Sequence, residues 1–260
     1  MFIDFKQKYL KALEGQQYNN LLQIVFENFI EKFDYKSLSD LGTFLSDIGK
    51  EGATIKLTEA NCVDLSKKMV EFSYFSNPDT KNAFALQLIC LEREKDFDTV
   101  CKMYSSAVAL KNCYILNNIA VSKYHSGANK EALEIQKSAL KLCNNSDIKH
   151  QMAEYNLILY ELFCDIKVND NLKCSEDILN MLICDDIYDY YSAMGFAAYV
   201  NNRDFIENHL PFFNQTFIVP NNLKLILNRF LKSGIKPSVA ELKSILKPLT
   251  IYEDNFYLTS

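Results

Sequence analysis

Apolar residues recur along this chain at helical rather than strand spacing. The clearest stripe advances by steps of four and three residues, which places its members on one face of a helix. These residues are Ile148, Met152, Tyr155, Leu159, Leu162 and Ile166. Three further residues, Leu157, Ile158 and Phe163, add a second apolar face. A helix that is apolar on two sides must be covered on two sides, as it is inside a stack of helices.

Helix-breaking residues divide the chain into segments of helix length. Clusters of breakers recur, for example at Asn77-Pro78, Ser126-Gly127 and Asn201-Asn202, and they leave segments of about 12 to 18 residues between them. The alternating runs that indicate strands are absent or too short. Seven glycines and five prolines are too few for a sandwich or barrel with many tight turns. The pattern predicts an all-α protein.

Internal similarity indicates a repeated helical hairpin. The segments 95–110 and 127–142 each carry a turn and then a helix that ends in a small residue followed by large apolar ones. Ala107 and Ala139 occupy matching positions in the two segments. Self-similarity with a period of roughly 30 to 40 residues is typical of helical repeat proteins.

One segment carries the repeat pattern most clearly. Leu116 and Ile119 supply an apolar pair on a first helix, and Gly127 permits a reversal of the chain at positive φ. Small residues stand where neighbouring helices must approach closely. On these features the segment 113–145 resembles a tetratricopeptide repeat (TPR). The small residues are Ala120, Ala132 and Ala139.

The resemblance implies a right-handed superhelical stack of antiparallel helical hairpins, a TPR-like α-solenoid. It is weaker over 81–112, where the second helix matches best, and over 148–184, which contains a long irregular turn. We expect a single solenoid domain over 1–260. Its expected parts are divergent N-terminal helices in 1–76, TPR-like repeats in 81–217, and a C-terminal capping hairpin and tail in 221–260.

Charge and cysteine usage exclude several classes of partner. The net charge is −5, and the three arginines, Arg93, Arg203 and Arg229, are scattered, so we expect no direct contact with nucleic acid. No apolar run approaches the ~18 residues that span a bilayer, and the sequence begins without a signal-peptide pattern. The eight cysteines lie singly among apolar residues, which is typical of a reduced, cytoplasmic protein. We therefore predict a cytoplasmic protein without a membrane partner.

Catalytic and metal-binding motifs are not evident. The three histidines, His125, His150 and His209, do not have the short spacing of zinc ligands, and no phosphate-loop, dinucleotide or serine-hydrolase string occurs. We predict no metal, no cofactor and no enzymatic activity. A Cys/His-dependent enzyme remains an alternative, because eight cysteines and three histidines allow many pairings.

Side-chain amides are the strongest candidates for a binding site. Asn118 precedes Ile119 as Asn156 precedes Leu157, and Gln87 stands at the equivalent place one unit earlier. The resemblance to TPR proteins implies that these first helices line a concave groove, where an amide can donate to and accept from an extended peptide backbone. The alternative is that Asn118 and Asn156 bridge neighbouring helices. The other candidates for the groove are Tyr114, Asn117, Val121, Tyr124 and Tyr155.

These expectations favour a non-catalytic protein- or peptide-binding module, an adaptor or scaffold that uses its groove. Two alternatives stay open: a peptide-responsive cytoplasmic sensor or regulator, and a structural subunit of a larger complex. A homodimer through an end repeat is also possible. The acidic and aromatic run at 185–191 is interpreted as a helix start whose tyrosines pack on the next helix, with a partner-binding patch as the alternative.

Overall fold

A computed structural model describes residues 56–143, 148–166, 175–183 and 187–252. Every regular element within these ranges is helical, and none is a strand, which confirms the predicted all-α class there. The predicted N-terminal helices before residue 56 and the tail after Tyr252 lie outside the described residues, as do Asp185 and Asp186.

The α-helices of the described ranges are numbered in chain order. Shorter helical turns lie at Ile89–Glu94 (π), Met103–Ser105 (3-10) and Ala109–Lys111 (3-10). The helices are α1 (Lys56–Ser76), α2 (Thr80–Leu88), α3 (Phe97–Lys102), α4 (Cys113–His125), α5 (Asn129–Leu142), α6 (Ile148–Phe163), α7 (Ser175–Leu182), α8 (Ile187–Tyr199), α9 (Arg203–Thr216), α10 (Asn221–Ser233) and α11 (Val239–Lys243).

Contacts within the chain divide it into two compact units. The described part of the first unit runs from residue 56 to Ile115 and includes Tyr252, and the second unit comprises the described residues from Leu116 to Ile251. The single domain over 1–260 remains a prediction.

The first unit packs α1 against α2 around the buried side chains of Tyr74, Phe84 and Leu86. Its second hairpin is shorter than the repeat pattern predicts, because α3 ends at Lys102 instead of continuing to Leu110. Ser106 accounts for the break: its hydroxyl oxygen accepts the N–H of Ala109 at 3.1 Å and so starts a new turn.

Helices of the second unit pack against their neighbours in the chain: α5 on α6, α6 on α7, α7 on α8 and α8 on α9. A short turn joins α4 to α5. Gly127 turns the chain at a φ of 79°, and Leu116 and Ile119 are buried. The small residues Ala120, Ala132 and Ala139 are also buried. Helix α6 is covered by α5 and α7, as its two apolar faces require.

Two tyrosines near the start of α8, Tyr190 and Tyr191, pack on α9. The Tyr190 ring lies 5.0 Å from that of Phe217, and the Tyr191 ring lies 5.6 Å from that of Phe213. The hydroxyl of Tyr191 donates to the Ile218 carbonyl oxygen at 2.9 Å. Packing on the next helix is thus confirmed for these two residues.

The C-terminal hairpin is tied together at its turn. Helix α10 ends at Gly234, whose φ is 69°. Ser238 and Glu241 form a capping box at the start of α11. The guanidinium of Arg229 donates to both carboxylate oxygens of Glu241, at 2.8 and 3.0 Å, so α10 holds α11 in place.

The hairpin occupies only the first part of the predicted 221–260 region, because α11 ends at Lys243. Pro248 has no N–H to donate and disfavours helical dihedrals at Lys247, which prevents the helix from resuming. Residues 244–252, here called the C-terminal segment, contain no regular helix or strand.

Candidate functional site

Four side-chain amides meet inside the second unit and are called the amide cluster. Asn117 and Asn118 come from α4, Gln136 from α5 and Asn156 from α6. All four side chains are fully buried, with 0% exposure. Burying so many amides is unfavourable unless each is hydrogen-bonded, so the partners of the cluster define what it can do.

Asn118 pairs with the backbone of Ile251 through two hydrogen bonds. Its Nδ2 donates to the Ile251 carbonyl oxygen at 2.7 Å, and its Oδ1 accepts the Ile251 N–H at 2.8 Å. An amide side chain has the donor and the acceptor of a peptide group, and this exchange of two bonds is the one that neighbouring antiparallel strands use. The Asn118 side chain therefore hydrogen-bonds to Ile251 as the backbone of a neighbouring strand residue would.

Asn156 pairs with the backbone of Leu249 through two hydrogen bonds of the same kind. Its Nδ2 donates to the Leu249 carbonyl oxygen at 2.7 Å, and its Oδ1 accepts the Leu249 N–H at 2.7 Å. In an extended chain the backbone groups of residues i and i+2 face the same edge, while those of residue i+1 face the other. The two asparagines thus hold one edge of a backbone in extended geometry, and Thr250 lies between the two paired residues.

Asn117 and Gln136 fix the orientation of the pairing amides. Asn117 Oδ1 accepts from Asn156 Nδ2 at 2.9 Å and from Gln136 Nε2 at 3.0 Å. Asn117 Nδ2 donates to the Leu249 carbonyl oxygen at 3.0 Å, and Gln136 Nε2 donates to the Ala153 carbonyl oxygen at 2.8 Å. Because each amide limits the rotation of its neighbour, the cluster presents its donors and acceptors in a preset order.

Apolar contacts hold the C-terminal segment against the second unit. Ile251 is 2% exposed, and Ile245 and Leu246 are also buried. Gly195 of α8 permits the close approach, since a Cβ atom built there would lie 3.0 Å from Ile245 Cγ2. Just before the segment, Lys243 Nζ lies 5.3 Å from the centre of the Phe163 ring, within cation–π range.

Gln87 has contacts unlike those of Asn118 and Asn156. It belongs to the first unit, where its buried Nε2 donates to the Ile115 carbonyl oxygen at 3.1 Å. This bond links α2 to the first turn of α4, so Gln87 has the bridging role that was the alternative for Asn118 and Asn156. The hairpin that would place Gln87 in register with the asparagines is incomplete, because α3 ends early.

The predicted aromatic and aliphatic residues pack within the protein. Tyr124 is half-buried and stacks on Phe163 at 5.5 Å, while Tyr155 is fully buried against Phe196 at 5.8 Å. Burial raises the pKa of both tyrosines. Val121 is buried, and Tyr114 is half-buried in the first unit.

Two of the groups considered for catalysis, His209 and Cys164, show no feature of a reactive pair. His209 stacks on Phe205 at 4.2 Å, and its Nδ1 is 2.8 Å from the Phe205 carbonyl oxygen. Burial raises the pKa of the Cys164 thiol, the opposite of what forms a nucleophilic thiolate. In the described ranges, no group of three His, Cys, Asp or Glu side chains has a geometry that could hold a metal ion.

Comparison with family models, curated proteins and solved structures finds no match to this chain. No helix among the described residues is long and apolar enough to cross a membrane.

Sequence reasoning identified three members of the amide cluster and missed the fourth. Gln136 lies on one helical stripe with Ala132 and Ala139, at steps of four and three residues. A polar residue in the middle of a stripe of small buried residues is the signal that could have identified it. The role of residues 249–251 was also missed.

Proposed function

We propose that this chain is a peptide-binding protein that captures the backbone of an extended peptide with asparagine side chains. One observation carries the proposal: Asn118 and Asn156, on different helices, each pair with both backbone groups of one residue in a two-residue register. Such pairing uses groups that every peptide has, and apolar side-chain contacts then select among sequences.

The buried environment of the amides supports a binding role. Hydrogen bonds made away from water are stronger, and a buried amide without a partner is costly, so the cluster favours whatever segment satisfies it. Asn117 hydrogen-bonds to both pairing asparagines, and Gln136 in turn donates to Asn117, so these two amides help to hold the pairing asparagines in position. This preorganisation lowers the entropic cost of binding.

The finer architecture belongs to the same proposal. We propose that the second unit is a stack of TPR-like hairpins, with the inner helices α4 and α6 lining the peptide site. The buried alanines, the turn at Gly127 and the packing of helices on their chain neighbours support this architecture.

The occupied site favours a regulator over an adaptor. Residues of the protein itself already fill the positions that a ligand backbone would take, so an incoming peptide has to change the protein in order to bind. We propose a peptide-responsive regulator, and a cytoplasmic location is in keeping with the free thiol of Cys164.

The test needs a variant whose amide cluster is accessible. Ile251→Asp in the full chain places a carboxylate where the isoleucine is 2% exposed, which weakens docking of the C-terminal segment and leaves the four amides intact. Thr250→Asp is the matched control, because it adds the same charge at a half-buried position that does not pair with the asparagines. Ile251→Ala is the second variant if the aspartate prevents folding.

A phage-displayed library of random seven-residue peptides is then selected on the Ile251→Asp protein. We expect peptides that bind this protein and lose at least tenfold in affinity when Asn118→Ala and Asn156→Ala are added. Adding Asn214→Ala, an exposed asparagine on α9, should have no effect. Failure to recover a binding peptide, or binding that is insensitive to the two asparagines in folded variants, contradicts the proposed function.

A further inference from the structure

The C-terminal segment occupies the amide cluster as a bound peptide would. Its paired residues, Leu249 and Ile251, both carry large apolar side chains, and Ile251 is almost completely buried. Thr250 lies between them with a half-buried side chain. Leu249 is half-buried as well. The arrangement therefore favours a ligand with an extended backbone, a large apolar residue at the position of Ile251 and an apolar residue two positions before it.

We infer that the ligand of this protein is an extended peptide with a Leu-x-Ile type of pattern, and that it binds by replacing residues 249–251 of the chain on the amide cluster. The inference rests on the proposed function and adds both the class of peptide and the competitor. In the free protein the segment acts as an internal pseudo-ligand.

Replacing residues 249–251 with another peptide costs less free energy than removing them from the amide cluster without a replacement. Removing the segment without a replacement leaves buried amides without hydrogen-bond partners, which is unfavourable. A ligand with the same backbone geometry supplies the same N–H and C=O groups to Asn118 and Asn156. The free energy of exchange is therefore set mainly by the apolar side chains at the two paired positions.

The connection to the fold allows residues 249–251 to leave while the rest stays in place. Arg229 and the capping box of Ser238 and Glu241 hold α11 independently of the amide cluster. The residues from 246 to 252 contain no regular element whose backbone bonds would have to break. Release thus costs the contacts with the cluster and the burial of Ile251.

The C-terminal segment competes with any ligand for the amide cluster, so a ligand must bind more strongly than the segment to replace it. A segment joined by a short connection has an effective concentration on the order of millimolar. A free peptide with the same contacts therefore binds the unmodified protein much more weakly than a protein whose own segment is displaced. This difference is measurable.

The probe is a synthetic peptide with the sequence of residues 246–252, acetylated, amidated and labelled with a fluorophore, and its binding is followed by fluorescence anisotropy. We expect at least tenfold tighter binding to Ile251→Asp than to the wild-type protein or to Thr250→Asp. Circular dichroism establishes that each protein is folded, and Ile251→Ala replaces the aspartate variant if it is not.

Two N-methylated probes test the backbone register. A methyl group on the nitrogen that corresponds to Ile251 removes the donor to Asn118, and we expect at least a tenfold loss of affinity for the Ile251→Asp protein. A methyl group on the nitrogen that corresponds to Thr250 restricts the backbone similarly but removes no bond to the asparagines. That probe should bind within about twofold of the unmodified peptide.

The outcomes separate the two proposals. Equal binding of the probe to the wild-type and Ile251→Asp proteins overturns the competition and leaves the proposed function standing. Library peptides that bind Ile251→Asp while the probe does not overturn the Leu-x-Ile pattern alone. A wild-type dimer that becomes monomeric in Ile251→Asp, measured by light scattering, identifies a second copy as the donor of the segment and also overturns the inference. Absence of any binding peptide rejects both proposals.

Discussion

Asn118 and Ile251 lie 133 residues apart in the sequence, and two hydrogen bonds join the side-chain amide of one to the backbone of the other. Both bonds are buried. The contact closes the second unit, because it attaches the last residues of that unit to one of its first helices. The stability of this unit and the peptide binding proposed for it therefore depend on the same group.

Asn118→Ala should destabilise the protein by about 1 to 3 kcal/mol, because it leaves the N–H and C=O of Ile251 without their partner. The loss is limited by the ability of the segment to detach and become hydrated. Urea unfolding followed by circular dichroism measures it. Asn214→Ala, at an exposed position of α9, should change the free energy of unfolding by less than about 0.5 kcal/mol. Equal effects of the two substitutions would disprove a special role for Asn118.

Gly195→Ala should lower the stability although alanine is the better helix former. Helix propensity alone predicts a gain of about 1 kcal/mol, but the new Cβ would lie 3.0 Å from Cγ2 of Ile245. That methyl group is on a β-branched carbon with little rotamer freedom, so it cannot move aside easily. We expect a net loss of about 1 kcal/mol in the free energy of unfolding.

The matched partner for this substitution is Ile245→Leu, which moves the branch one carbon further from the backbone. The double variant Gly195→Ala/Ile245→Leu should be more stable than the sum of the two single effects predicts, as a double-mutant cycle would reveal. A purely additive result would mean that the two residues do not conflict.

Acid should weaken the C-terminal hairpin through Glu241. The hydrogen bonds from Arg229 and from Ser238 lower the pKa of this carboxyl from 4.5 to about 2. Because the pKa is lower in the folded state, the contribution is complete above pH 4.5 and disappears as the pH falls toward 2. The difference in unfolding free energy between wild type and Glu241→Gln should shrink over that window. A difference that is constant with pH would contradict the linkage.

Gly127→Ala should destabilise the α4–α5 hairpin by about 1 to 2 kcal/mol, the cost of a left-handed conformation for a residue with a Cβ. A steric clash does not contribute, since a Cβ at this position would meet no atom within 4 Å. The expected loss therefore comes from the backbone φ of 79° alone. Gly127→Asn should cost less, since asparagine tolerates positive φ. Thermal unfolding of the three proteins should therefore rank glycine above asparagine and asparagine above alanine.

Sequence patterns predicted the features of this fold that depend on residues close together in the chain. The alanines at positions 120, 132 and 139 are small because helices approach there, and this requirement is visible in the sequence. Gly127 likewise marks its own turn. The early end of α3 was not predicted, because it depends on a hydroxyl of Ser106 that competes with the helix for a backbone N–H.

The sequence predicted the asparagines of the candidate site but not the backbone that they bind. Asn118 and Asn156 attracted attention because they recur at matching repeat positions. Their partners, Ile251 and Leu249, follow no repeat and lie far along the chain, so no window of sequence brings them together. Gln87 has the same position within its helix as the asparagines but different neighbours. Its hydrogen-bond partner is the Ile115 carbonyl oxygen, because the packing of neighbouring helices determines which groups a buried amide can reach.

The mutual bonding of the four amides has a consequence for how this protein can evolve. Asn117 accepts from both Asn156 and Gln136 and donates to Asn118, so replacing any one member removes at least one hydrogen bond within the cluster. Stepwise drift through singly altered intermediates is therefore disfavoured. Descendants of this chain should either retain the whole quartet or have exchanged it together for aliphatic residues, and a lineage of the second type would have lost the capacity to hold a strand by its backbone.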